Sequence, residues 1–130
     1  MTAELTMAAW TLVLALVQIF AFSTARTAQY GFKWNAGPRD EEPPPLKPVA
    51  ARLKRAQDNL FETLPLFLAA VLIAHAAGRE TSQGALGAEL YFWARVVYVP
   101  LYAFGVPGLR SLAWLVSLVG LVTAAAPILH

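Results

Sequence analysis

The chain has 130 residues, 58% of them hydrophobic and 14% charged, with a formal net charge of +2 and no cysteine. That composition lies outside the range of ordinary soluble domains and indicates a single domain embedded in a membrane. It also excludes disulfides, thiolate metal sites and a cysteine nucleophile. The basic residues form no aromatic-interleaved run of the kind that binds nucleic acid. His75 and His130 have no partners at metal-ligand spacing, so no metal site is expected.

Residues 5–25 carry no ionisable side chain, and about 20 apolar residues suffice to cross a hydrocarbon core, so this segment reads as a first transmembrane helix. A cleaved signal peptide would want a basic start and a shorter apolar core, whereas Glu4 is the first charge here. The segment is therefore expected to stay in the mature protein. Gln18, polar within it, is expected to face other helices. Residues 26–48 change to a Pro-, Gly- and charge-rich stretch suited to neither a helix nor a buried strand. They read as a loop stiffened by Pro43, Pro44 and Pro45, with Tyr30, Phe32 and Trp34 at the membrane interface.

A second helix is expected over 49–77, long enough to start in water and continue into lipid, with Pro65 inside it. Arg52, Arg55, Asn59 and Glu62 fall on one stripe at about 100° per residue, and Gln57 looks the opposite way. Charged and amide groups at such a boundary mark either a site or arginines that snorkel to headgroups. After a polar turn at 79–87 a third helix is expected over 86–106. Arg95 lies near its middle, and a central arginine costs roughly 2.5–3.5 kcal/mol on insertion scales, so it needs partners inside the bundle. Tyr91, Tyr98 and Tyr102 share its side of the helix. They form either a packing seam or one wall of a site.

Pro107 and Gly108 make a tight connection to a fourth helix over 109–129, which reads as lipid-facing scaffold, with Arg110 and Ser111 at its start. The expected fold is an all-α integral membrane bundle of four transmembrane helices. Arg26, Lys33, Arg39, Lys47, Arg52, Lys54, Arg55 and Arg110 flank the first and third loops, and only Arg79 lies in the second. The positive-inside rule makes loops one and three cytoplasmic and puts both termini on the non-cytoplasmic side. Arg55, Asn59 and Glu62 then share a membrane height with Tyr98, Tyr102 and Arg110. A pocket there would suit a polar cytosolic ligand that meets an apolar partner from the bilayer.

The run Arg52-x-x-Arg55-Ala56-Gln57-x-Asn59-x-x-Glu62, followed by Leu64-Pro65-Leu66-Phe67, resembles the second-helix signature of the MAPEG family, the membrane-associated proteins of eicosanoid and glutathione metabolism. Ala94-Arg95-x-x-Tyr98-x-x-x-Tyr102, with Arg110-Ser111 after a proline turn, is similar to its third-helix region. The resemblance spans nearly the whole chain and points to a bacterial member in the inner membrane. It implies a homotrimer in contact with membrane lipid, with glutathione as co-substrate bound between neighbouring subunits. By the same resemblance Arg55, Asn59 and Glu62 would hold glutathione, Tyr98 and Tyr102 would line the site, and Gln57 would reach the neighbour's ligand. Arg26 would bind glutathione across the interface, Arg110 would stabilise the thiolate, and Ser111 would assist by hydrogen bonding. Where some members carry a tyrosine after the glutamate, this chain has Thr63.

The activity implied is that of a glutathione transferase or peroxidase acting on lipophilic small molecules, as in detoxification. The alternative is a non-catalytic protein of the same fold that binds glutathione or lipid. A small multidrug exporter fits less well, because the first helix carries no carboxylate between Glu4 and Arg26.

Overall fold

The computed structural model describes residues 1–129, all-helical in its regular elements. Helices α1 (Ala3–Tyr30), α2 (Phe32–Ala36), α3 (Pro48–Ala76), α4 (Ser82–Ala103) and α5 (Pro107–Ala125) are followed by a 3-10 turn at Ala126–Leu129. His130, considered above as a metal ligand, lies outside the described residues.

Each start has a local cause. The Thr2 hydroxyl accepts the Leu5 N–H at 3.3 Å to begin α1, and the Thr81 hydroxyl accepts the Gly84 N–H at 3.0 Å to begin α4. Pro48 and Pro107 open α3 and α5, at positions where a helix has no use for their missing N–H. The α4–α5 turn closes when the Val106 N–H returns to the Leu101 carbonyl at 2.9 Å around Gly105, whose φ of 70° suits glycine.

The reading of 26–48 as a loop without helix is corrected. Arg26 does not end α1, which continues to Tyr30 and stops at Gly31, φ 91°. The short α2 follows, fixed by an edge-to-face contact of Tyr30 with Trp34 at 4.7 Å and by Arg39, which donates to the Asn35 carbonyl and side chain. The proline segment beyond it is clipped to the end of α1. Gln29 Nε2 donates to the Pro45 carbonyl at 2.8 Å, Gln29 Oε1 accepts the Lys47 N–H at 2.7 Å, and the Tyr30 hydroxyl donates to the Pro44 carbonyl at 2.5 Å. The turn expected over 79–87 also shortens, because the Thr81 cap starts α4 at Ser82.

α1, α3 and the segment Pro107–Leu129 are long and apolar enough to cross a membrane. α4 is not among them, since Glu89, Arg95 and its tyrosines dilute its apolar character. The core lies where α1, α3 and α4 meet. Phe67 stacks on Tyr91 at 4.1 Å, the Tyr91 and Thr63 hydroxyls share a 2.8 Å hydrogen bond, and Ala8, Leu60 and Val71 pack around them. Helices α4 and α5 touch backbone to backbone. A Cβ on Gly120 would sit 2.5 Å from the Tyr91 nitrogen, and one on Gly87 would sit 2.4 Å from the Ala124 nitrogen, so only glycine fits at this crossing. Large apolar residues such as Trp10, Val17, Phe20, Leu72 and Val122 face outward, as lipid contact demands.

The ends of the bundle differ in character. At one end the Thr2 hydroxyl donates to Glu80 Oε2 at 2.5 Å and Arg79 donates to the Ile128 carbonyl at 2.7 Å, gathering the start of α1, the α3–α4 turn and the 3-10 turn. The other end holds the proline segment and the α4–α5 turn, where Arg52 packs against Gly105.

Candidate functional site

The first four turns of α3 put Arg52, Arg55, Asn59 and Glu62 about one turn apart, facing the last turns of α4. Arg55 Nε donates to the Tyr102 hydroxyl at 3.1 Å. One turn deeper, Arg95 Nη1 donates to Asn59 Oδ1 at 2.8 Å, and the guanidinium lies 4.2 Å from the centre of the Tyr98 ring. Arg95 is 1% exposed, and its Nε and Nη2 have no partner among the described residues. A buried guanidinium held by one amide and one ring face answers the cost of placing an arginine at this depth. Tyr98 and Tyr102 meet edge to face at 5.4 Å.

α5 supplies the third side. Its first turn holds Arg110, half-buried, 4.7 Å from the centre of the Tyr102 ring and lining both cavities. The Ser111 hydroxyl donates to the Pro107 carbonyl at 3.2 Å. Two cavities share the Tyr102–Arg110 wall. The larger, about 450 Å³, is lined by Asn59, Tyr98, Tyr102, Arg110, Ser111, Trp114 and Leu115. The smaller, about 210 Å³, lies toward the loop end between Arg52, Arg55 and Arg110.

Six of the residues singled out in the sequence thus come together: Arg55, Asn59, Tyr98, Tyr102, Arg110 and Ser111. Glu62 is exposed on the same α3 stripe, with no hydrogen bond or ion pair among the described residues. Arg26 and Gln57 border neither cavity. Arg26 donates to Asn35 Oδ1 at 3.0 Å and packs over Phe22, and its Nε is buried without a partner among the described residues. Gln57 Oε1 is likewise buried with no partner among the described residues. Thr63 turns into the core toward Tyr91 and away from both cavities.

The sequence reading missed two contributions. α5 is more than lipid-facing scaffold, because Trp114 and Leu115 line the larger cavity; a tryptophan one turn after Arg110 was the available signal. Arg52 was seen on the α3 stripe, but its approach to Gly105 depends on the left-handed turn that brings the end of α4 back toward α3.

Chemically, the cavities offer three guanidinium groups, two phenols and an amide, with Glu62 one turn beyond Asn59 on α3. That donor set suits a ligand with carboxylates for the arginines and an amine for Glu62. An arginine next to a thiol also favours its thiolate form. A comparison with curated proteins finds no match. The sequence model of the MAPEG family matches residues 7–129. The chain belongs to the MAPEG family and is a membrane protein of that glutathione- and eicosanoid-metabolism group.

Proposed function

We propose that the protein is a glutathione-dependent membrane transferase or peroxidase acting on lipophilic electrophiles. The observation that carries this reading is the position of Arg110: a guanidinium over the Tyr102 ring, bordering both cavities, with no carboxylate partner among the described residues. Glutathione is the substrate that supplies the sulfur nucleophile. Arg55, Asn59 and Glu62 bind its charged and amide groups, and Tyr98 and Tyr102 enclose it. Arg110 holds the sulfur as thiolate, and arginine suits this role because it stays charged at any working pH. The S–C bond forms as the electrophile's leaving group departs with its electron pair, or as an activated double bond takes up the pair and then a proton from water. Ser111 assists by hydrogen bonding once its hydroxyl turns from Pro107.

The same reading makes the protein a homotrimer of four-span subunits, α4 crossing with its arginine enclosed by Asn59 and Tyr98. Gln57 and Arg26 then serve the ligand of a neighbouring subunit. Neither residue lines a cavity of its own chain, which is what a role toward a neighbour's ligand requires. The arginine-rich end faces the cytoplasm of a bacterial cell, and the termini lie across the inner membrane.

Turnover with glutathione and a small electrophile, measured beside calorimetric glutathione binding in Arg110→Ala, tests the proposal. A catalytic role for Arg110 predicts lost turnover with binding largely kept. Loss of affinity in step with turnover returns the protein to the non-catalytic, ligand-binding alternative.

A further inference from the structure

A groove of about 550 Å³ runs between α4 and α5, from Leu86 to Leu101 along one helix and from Leu109 to Val116 along the other. It shares no residue with the two cavities of the candidate site, because α5 turns Leu109, Leu112 and Val116 into the groove and Arg110, Ser111 and Trp114 the other way. The two sites are separate. Every residue that lines the groove is apolar except Glu89. That side chain is exposed and forms no hydrogen bond or ion pair among the described residues, where the ion pairs are Lys54 with Asp58 and His75 with Glu80. An apolar trough of this volume with one polar group in it has the make-up of a small-molecule pocket.

Glu89 lies two turns past the Thr81 cap, about 12 Å along α4, so with α4 crossing the membrane its carboxylate stands within the apolar layer. A charge at such a depth calls for a partner of opposite sign. A neighbouring copy in the same orientation does not supply one. Residues 5–25 carry no ionisable side chain, α3 has no Lys or Arg between Arg55 and its end, and α5 has none after Arg110. Arg95, the one cation of α4, is buried against Asn59 and Tyr98 inside its own subunit. The counter-charge therefore has to come with a ligand. Trp93 sits one turn beyond Glu89 on the same face, 57% exposed and lining the groove, and the face of an indole attracts cations. A carboxylate and an indole one turn apart, in a trough that is otherwise apolar, fit an ammonium group on an apolar body.

We propose that the α4–α5 groove binds lipophilic cations of the amine and quaternary ammonium class, with the cationic group between Glu89 and Trp93 and the apolar body along Val97, Leu101 and Leu112. The ligand enters from the bilayer, where its apolar body partitions. The inference rests on α4 crossing the membrane and is independent of any role of glutathione.

Scintillation-proximity binding of radiolabelled dodecyltrimethylammonium to the full-length protein in a maltoside detergent tests the site without any assay of activity. The charge of this probe is permanent, and dodecanol offers the same chain without it. Binding should be saturable, with dodecanol competing at least about tenfold more weakly than the unlabelled cation. Glu89→Gln should weaken binding about tenfold and Glu89→Asp less. Trp93→Leu keeps an apolar wall but removes the ring, and should weaken binding about threefold. An unchanged unfolding midpoint shows each variant to be folded, as expected for exposed side chains. Equal affinity in Glu89→Gln and the unaltered protein overturns the proposal. Dodecanol competing as well as the cation overturns it in favour of lipid chains alone. Absence of saturable binding overturns it too, and cross-linking of two copies through Val97→Cys, in a chain with no other thiol, then assigns the groove to a second copy.

Discussion

The Arg95 guanidinium donates to Asn59 Oδ1 at 2.8 Å, and this one side-chain bond joins the middle of α4 to the polar stripe of α3. It fixes Asn59, which lines the larger cavity, and it gives the buried arginine its one hydrogen bond among the described residues. The site and the stability of the bundle therefore share a contact.

Asn59→Ala should cost about 1–3 kcal/mol, the range for leaving a buried polar group without its partner. Thermal unfolding in detergent, followed by circular dichroism, measures this. Arg95→Met in the same background should recover part of the loss, because removing both members takes away the stranded charge. A double variant no better than Asn59→Ala would show that the bond contributes little.

The α4–α5 crossing admits no side chain at Gly120. Gly120→Val should destabilise by at least about 1–3 kcal/mol, the usual penalty of overpacking, because the clash falls on the Tyr91 backbone and not on a movable side chain. The drop in unfolding midpoint reads it out. Gly108→Ala is the matched control, since a Cβ there meets nothing within 4 Å.

Glu80 links stability to pH. The Thr2 hydroxyl first, and His75 second, hold its carboxyl below the ordinary value of 4.5. A carboxylate depressed in the folded state contributes stability that is present above its unfolded value and lost as pH falls through the folded one. The unfolding midpoint should therefore drop as pH falls from the ordinary carboxylate value through the lower folded one, and Thr2→Ala should drop less over the same range. Identical slopes for the two proteins would remove Glu80 from the account.

The proline segment depends on Gln29. Gln29→Ala removes one donor and one acceptor to the Pro45–Lys47 backbone. Limited proteolysis should then cut within 38–47 several times faster at unchanged unfolding midpoint, because opening the segment leaves the core intact.

Much of this was legible in the sequence, for identifiable reasons. α1, α3 and α5 follow from apolar runs of membrane length; the helical repeat puts Arg55, Asn59 and Glu62 on one stripe, and the expected topology brings Arg55 and Asn59 to the height of Tyr98 and Tyr102. Helix ends were less legible, because Arg26 and the polar residues 82–85 look like loop, whereas Gly31 and the Thr81 cap set the boundaries. The small cavity was hidden for a different reason. It exists because the turn at Gly105 brings Pro107 and Arg110 beside Arg52, a relation between residues more than 50 apart that no local pattern carries. The place of Trp114 in the larger cavity likewise depends on how α5 rotates after Pro107.

In the proposed function Arg110 holds a thiolate. The ultraviolet difference spectrum of the detergent-solubilised protein on adding glutathione near neutral pH measures it most directly, with Arg110→Ala and Glu62→Ala alongside. A saturable thiolate absorbance is expected, vanishing in Arg110→Ala and needing more glutathione to saturate in Glu62→Ala. A thiolate signal of full size in Arg110→Ala, or none in the unaltered protein at saturating glutathione, would contradict it.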